Sequence, residues 1–146
     1  MLDACAPSEL HLIDTWDGRI ECGDKDGREV VTADGQTLYC GVRQRFAHRP
    51  EVVVRRGLSV EMLGRCRDGY FNFVYVDASH DYTSVAADLA ASARVVVSGG
   101  AIGGHDYCKA FPGVVRAVDE FCYSSDWRLT HLTRDGCPSY RLERVA

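Results

Sequence analysis

The chain has 146 residues, a formal net charge of −4 at pH 7, 46% hydrophobic residues and 26% charged residues. The length fits one domain over residues 1–146, because domains typically run about 100–150 residues. The composition is that of a globular protein and argues against disordered, collagen-like and coiled-coil chains. No apolar run approaches the ~20 residues of a membrane helix. The slight acidity argues against binding to nucleic acid or to anionic membranes, which favour basic surfaces.

The seven cysteines lie at positions 5, 22, 40, 66, 108, 122 and 137. Their number is odd and no two are spaced as C-x-x-C, which argues against a zinc ribbon or a thioredoxin-type redox pair. The first residues resemble no secretion signal. We therefore expect a cytoplasmic protein in which each thiol is reduced and structural.

Hydrophobic patterning predicts an alternation of strands and helices. The first half contains a strand over 9–14, a loop over 17–35, a helix over 37–48, a strand over 51–55 and a short helix capped by Ser59. The second half contains a strand over 71–77, a helix over 82–93, a strand over 94–97, a helix beginning at Pro112, and strands over 127–132 and 139–144. This order predicts an α/β fold with a mostly parallel sheet and a C-terminal antiparallel hairpin.

Polar side chains follow several of the predicted strands. Asp14 ends the first strand, Asp77 and His80 follow the strand over 71–77, and His105 and Asp106 follow the strand over 94–97. Ligands of open α/β sheets bind outside the carboxyl ends of the strands, so these residues are candidates for one site.

Each candidate has two interpretations. Asp14 either accepts hydrogen bonds from ribose hydroxyls or caps a turn. Asp77, His105 and Asp106 either bind a divalent metal or cap helices and pack at the sheet edge. Two carboxylates and an imidazole suit Mg²⁺ or Mn²⁺ less well than three oxygens do, and they admit Zn²⁺ or Fe²⁺. His80 is either a general base or a residue that orients the Asp77 loop.

Several of these segments together resemble a known family. They are Phe73-Val74-Tyr75-Val76-Asp77-Ala78-Ser79-His80-Asp81-Tyr82, then Val85 and Asp88-Leu89, then Gly99-Gly100 and Gly104-His105-Asp106-Tyr107, continued by Pro112-Gly113-Val114. In this pattern the chain resembles class I S-adenosylmethionine-dependent methyltransferases, in the branch that methylates oxygen atoms of small molecules. The resemblance implies a Rossmann-like methyltransferase sheet.

The resemblance also implies roles for individual residues. Asp14 would hold the ribose of S-adenosylmethionine, and Gly57, Leu58 and Ser59 would lie near the adenine. Asp77 would lie beside the methyl-donor end of the cofactor. In metal-using members, Asp77 and the positions of His105 and Asp106 would hold Mg²⁺ or another divalent metal. His80 would then be the base for a substrate hydroxyl.

The family pattern begins with a glycine-rich cofactor loop about 20 residues before the ribose-binding acid. Here thirteen residues precede Asp14 and none of them is glycine. The expectation is therefore a truncated domain that lacks the first strand, the glycine loop and most of the first helix. Loss of a central strand would leave unpaired strand edges. We therefore expect either direct pairing of the strand over 9–14 with the strand over 71–77, or a homodimer in which two chains complete each other's sheets.

Three functions stay open on the sequence alone. The first is S-adenosylmethionine-dependent methyl transfer to a small hydroxylated molecule, which the resemblance implies. The second is a catalytically silent methyltransferase-like fragment that serves as a binding or assembly module. The third is a metal-dependent hydrolase that uses Asp77, His80, His105 and Asp106. Whether this chain is itself an active enzyme is left open by its lack of the glycine loop.

Overall fold

A computed structural model describes residues 5–17 and 34–145. Contacts within the chain divide it into two compact units, Met1–Met62 and Leu63–Ala146. This division does not test the expected single domain, which stays a prediction. In the described part of the chain, no helix is both long enough and apolar enough to cross a membrane.

The first unit contains a parallel two-stranded sheet. Strand β1 (Leu10–Asp14) pairs with β2 (Val52–Arg56), and Asp14 lies opposite Arg56 in the register. Helix α1 (Gly35–Arg45) lies between the two strands in the chain, and the short helix α2 (Ser59–Gly64) follows β2. The strands and helices predicted for this half are confirmed, but Ser59 is the first residue of α2 and not the cap that precedes it.

Helix α1 begins two residues earlier than the sequence pattern predicts because Asp34 caps it. The Thr37 N–H donates to Asp34 Oδ1 over 3.0 Å. Hydrogen bonds from Thr37 lower the pKa of the Asp34 carboxyl below its ordinary value. The predicted loop over 17–35 falls mostly on residues 18–33, which lie outside the described residues.

The second unit contains a four-stranded sheet in the order β3-β4-β6-β5. Strands β3 and β4 are parallel, and the contacts of β6 with β4 and with β5 are antiparallel. The predicted α/β fold with a C-terminal antiparallel hairpin is therefore confirmed. Its elements are β3 (Phe71–Val76), α3 (Tyr82–Val95), β4 (Val96–Gly104), α4 (Pro112–Ser124), β5 (Trp127–Leu132) and β6 (Tyr140–Arg144).

Helices α3 and α4 bury their apolar stripes in the core of this unit. The Ser84 N–H donates to the Asp81 carboxylate and fixes the start of α3, and Pro112 is at the start of α4. Burying one large aliphatic side chain contributes about 1.5–3 kcal/mol, so the core holds the sheet and helices together. Its largest fully buried side chains include Val85, Leu89, Ile102, Val118, Trp127 and Leu142.

The strand predicted over 94–97 is misplaced. Arg94 and Val95 complete helix α3, and β4 runs from Val96 to Gly104. The register opposite β3 shifts between Phe71↔Val96 and Phe73↔Ala101. Gly99–Gly100 therefore lies in a bulge inside β4 and not in a turn after it, because β4 returns to β3 after the extra residues.

Among the described residues the strands are grouped into two sheets, β1-β2 in the first unit and β3-β4-β6-β5 in the second. The two expected ways of completing the sheet, direct pairing of the strand over 9–14 with the strand over 71–77 or a homodimer, stay predictions.

Candidate functional site

Asp14 is held at the carboxyl end of the two-stranded sheet in the first unit. The Gly57 N–H donates to the Asp14 carbonyl over 2.9 Å, so the chain leaves β1 and β2 at the same edge. The Trp16 N–H donates to Asp14 Oδ1 over 2.6 Å and fixes the carboxylate in a turn. Asp14 is exposed. Its side chain therefore caps a turn, while the ribose-binding interpretation stays a prediction.

The residues after β2 form the neighbouring part of this edge. Gly57 has a φ of 150°, which favours glycine, and a Cβ placed there would lie 2.7 Å from the Met62 Cε. Leu58 is 57% exposed, which leaves an apolar side chain in solvent beside the glycine. Ser59 begins helix α2. The structure thus brings Gly57 next to Asp14 and leaves Leu58 available for an apolar contact.

Asp77, His80 and Asp106 come together at the carboxyl ends of β3 and β4. One potential ligand atom from each of the three lies within 4.8 Å of the others. His80 Nε2 is 2.9 Å from Asp106 Oδ2, and the His80 ring packs on Phe111 with ring centroids 4.4 Å apart. Asp77 is exposed, whereas Asp106 is buried at 6% exposure. The described residues thus bring two carboxylates and an imidazole together at this edge.

The loop that carries Asp106 is fixed by its backbone. The His105 N–H donates to the Val76 carbonyl over 3.2 Å, which ties the end of β4 to β3. Asp106 has a φ of 64°, in the left-handed region that aspartate tolerates better than most residues. The Cys108 N–H donates to the Asp106 carbonyl over 2.8 Å. This conformation turns the Asp106 carboxylate back toward His80.

His105 differs from the other three residues in its surroundings. Its Nδ1 lies 3.1 Å from Asp106 Oδ1, so both oxygens of Asp106 are beside an imidazole nitrogen. The group of three potential ligands contains His80, whereas the predicted ligand set contains His105. A ligand set of Asp77, His105 and Asp106 therefore stays a prediction, while the geometry gathers Asp77, His80 and Asp106.

The donor set of this group is chemically suited to a divalent metal. Two carboxylate oxygens and one imidazole nitrogen match the ligands of Zn²⁺ and Fe²⁺, whereas Mg²⁺ and Mn²⁺ favour oxygen ligands. The same three side chains also suit acid–base chemistry, because a buried carboxylate beside an imidazole fixes its tautomer. His80 Nε2 can either bind a metal or donate a hydrogen bond to Asp106, but it cannot do both at once.

Tyr140 lies beneath the cluster and was not singled out by the sequence. A cavity of about 10 Å³, roughly the space of one water molecule, is lined by Asp77, His80, His105 and Tyr140. Tyr140 is 3% exposed, and its hydroxyl has no hydrogen-bond partner among the described residues. Burial and then the nearby Asp88 raise the pKa of Tyr140 above its ordinary value. The alternation of Tyr140 and Leu142 indicates an inward-facing strand, but nothing in it places the hydroxyl under Asp77.

Comparison with solved structures shows the fold. A Corynebacterium glutamicum protein superposes with a TM-score of 0.64 at 13% identity, covering 94% of this chain and 61% of that chain. The O-methyltransferase NovP superposes with a TM-score of 0.63 at 17% identity, covering 94% and 60%. An O-methyltransferase from Bacillus cereus in complex with SAH (S-adenosylhomocysteine) superposes with a TM-score of 0.60 at 13% identity, covering 93% and 63%.

The chain spans about 60% of the length of the first of these structures. No curated protein matches it by sequence. Residues 1–107, which include β1 to β4 and the Asp77, His80 and Asp106 cluster, match the family described as "Methyltransferase domain". This match covers well over half of the chain, and the Rossmann-like sheet agrees with it: the chain belongs to the methyltransferase-domain family.

Proposed function

We propose that this chain belongs to an S-adenosylmethionine-dependent enzyme that methylates a hydroxyl group of a small molecule. The observation that carries the proposal is the His80–Asp106 pair beside Asp77, with 2.9 Å between His80 Nε2 and Asp106 Oδ2, in a chain of the methyltransferase-domain family. S-adenosylmethionine supplies a methyl group on a positively charged sulfur. The residues of the chain have to bind the cofactor, orient the substrate and deprotonate its hydroxyl group.

His80 is the proposed base. When its Nε2–H donates to Asp106, Nδ1 is the ring nitrogen that accepts a proton from the substrate hydroxyl. The imidazolium that results is stabilised by the buried Asp106 carboxylate, and the contact with Phe111 limits rotation of the ring. Deprotonation raises the nucleophilicity of the hydroxyl oxygen, while alignment of the reacting atoms supplies the rest of the acceleration.

Asp77 is proposed to act on the donor side. It follows β3 directly and is exposed, so its negative charge is available to a ligand. A carboxylate near a sulfonium group favours that cation electrostatically. We therefore assign Asp77 to the methyl-donor end of the cofactor.

The residues at the carboxyl edge of β1 and β2 are proposed to bind the nucleoside. Asp14 Oδ1 accepts the Trp16 N–H, and we assign the other carboxylate oxygen to the ribose hydroxyls. The exposed Leu58 side chain offers an apolar surface to the adenine, with Gly57 and Ser59 beside it.

A divalent metal is the second proposed use of the same cluster. Asp77, His80 and Asp106 would hold it, with His105 as the ligand that the family pattern adds. Such a metal would supply Lewis-acid chemistry, lowering the pKa of a bound hydroxyl. The roles of His80 as metal ligand and as free base exclude each other, so metal content decides between them.

Calorimetric titration with S-adenosylhomocysteine, with and without Mg²⁺, tests the cofactor site. We expect saturable binding by the wild-type chain. Asp14→Asn keeps an oxygen for the Trp16 N–H but loses the charge, so it is expected to weaken binding by about 10- to 100-fold, the worth of a charge-assisted hydrogen bond of about 1.5–3 kcal/mol. Asp17→Asn, which removes a nearby exposed carboxylate, is the matched control and is expected to bind like the wild type.

Three results would count against the proposal. Absence of binding at millimolar S-adenosylhomocysteine would favour the catalytically silent binding or assembly module. A stoichiometric metal in the purified chain, lost in His80→Gln, would exclude His80 as the free base. Chelator-sensitive hydrolysis of phosphate or carboxylate esters would support the metal-dependent hydrolase instead.

A further inference from the structure

Two thiols meet at the base of the loop that carries Asp106. Cys108 lies in this loop, between β4 and α4, and Cys137 lies in the connection between β5 and β6. Their Sγ atoms are 3.8 Å apart, although 29 positions separate them in the chain. Both side chains are half-buried, so a small molecule in solution has access to them. No other use of these two residues follows from the proposed function.

Backbone hydrogen bonds hold the two segments side by side. The Tyr107 N–H donates to the Pro138 carbonyl over 3.0 Å, so the residue before Cys108 is bonded to the residue after Cys137. The Ser139 N–H donates to Thr133 Oγ1 over 2.8 Å, which closes the connection that carries Cys137. The Cys108 N–H donates to the Asp106 carbonyl over 2.8 Å. The proximity of the thiols is therefore imposed by the folded backbone.

We propose that Cys108 and Cys137 are a reversible disulfide-forming pair that reacts with a disulfide oxidant such as glutathione disulfide. In the first step one cysteine sulfur attacks glutathione disulfide, forms a mixed disulfide and releases one glutathione. In the second step the other cysteine sulfur attacks the mixed disulfide, forms the Cys108–Cys137 bond and releases a second glutathione. The protein loses two hydrogens and two electrons, and both released glutathiones carry them away as thiols.

The geometry requires a small rearrangement. A disulfide bond is about 2.05 Å long, and the present separation of 3.8 Å is a contact between two thiols. The sulfurs approach by side-chain rotation, because the backbone segments are already paired. Once formed, the bond attaches the Asp106 loop covalently to the connection between β5 and β6. Because Asp106 contacts His80, the bond would constrain the loop that places the Asp106 carboxylate beside that ring. In a reducing compartment the pair rests as two thiols.

Oxidation of the reduced 146-residue chain by glutathione disulfide tests the proposal. After remaining thiols are blocked by alkylation, peptide mapping is expected to show a Cys108–Cys137 cross-link that dithiothreitol reverses. In Cys108→Ser and in Cys137→Ser the cross-link is absent and the remaining cysteine carries glutathione. Cys40→Ser, which removes an exposed thiol elsewhere, is the matched control and is expected to give the wild-type cross-link.

Either of two results would overturn the proposal. One is wild-type protein in which Cys108 and Cys137 stay reduced, or carry separate glutathiones, after the oxidant has modified Cys40. The other is the same distribution of cross-links in concentrated urea as in native buffer, since the preference for this pair depends on the folded backbone. Both readouts are independent of S-adenosylhomocysteine binding, so they stand apart from the proposed function.

Discussion

Replacement of Gly104 by alanine should destabilise the second unit and disturb the base of the candidate site. Gly104 is the last residue of β4 and pairs with Tyr140 in the register. A Cβ placed on Gly104 would lie 2.6 Å from Tyr140 Cε1, and closer still to Cζ and to the hydroxyl, whereas ordinary contacts begin at 3.4 Å. Tyr140 is 3% exposed and belongs to the core, so its ring has little room to move.

The size of the effect follows from two opposing contributions. Overpacking of a buried position costs about 1–3 kcal/mol. Loss of glycine from the unfolded chain returns about 0.4–1 kcal/mol. The expected net loss in the free energy of unfolding is therefore about 1–2 kcal/mol. Gly136→Ala is the matched control, because a Cβ there meets no atom within 4 Å. This control should be neutral or slightly stabilising.

Urea unfolding followed by tryptophan fluorescence measures the difference. The chain has two tryptophans, Trp16 and Trp127. Trp127 is 1% exposed in the core of the second unit, so a Trp16→Phe background makes the signal report on that unit. Equal stability of Gly104→Ala and Gly136→Ala in this background would refute the close approach of Gly104 and Tyr140.

Three further predictions concern single side chains. Asp81→Ala removes the cap from α3 and should lower the free energy of unfolding in urea by about 1 kcal/mol. Hydrogen bonds from Ser84 lower the pKa of Asp81 below 3.8. The difference in stability between the wild type and the variant should therefore be full above pH 3.8 and vanish in stronger acid. Burial and a hydrogen bond to Asp119 raise the pKa of Tyr107 from 10.0 to about 12. The contribution of the neutral Tyr107 to the free energy of unfolding is therefore complete below pH 10 and is lost as the pH rises to about 12. Tyr107→Phe should flatten this alkaline loss in a pH series of unfolding, and an unchanged slope would contradict it. Tyr140→Phe removes a buried hydroxyl that has no hydrogen-bond partner among the described residues. The midpoint temperature of thermal unfolding should therefore stay the same or rise.

Local sequence patterns were sufficient for most elements. The apolar spacing from Tyr82 onward, the Pro112 start of α4 and the alternation in the last two strands all correspond to observed structure. These signals are local, because helix and strand periodicity are expressed within a few residues. The strand predicted over 94–97 begins too early. Valines favour a strand, but the buried Val95 is the last residue of helix α3.

The sequence by itself determined the α/β class, the family resemblance and the presence of Asp14, Asp77, His80, His105 and Asp106 after strands, because these depend on order and spacing along the chain. Only the tertiary structure decided which of them meet. Asp106 pairs with His80 because its left-handed backbone turns the carboxylate back toward that ring. Pairing between β4 and β6 likewise places the Tyr140 ring against Gly104. Such contacts join residues distant in the chain, and no local pattern encodes them.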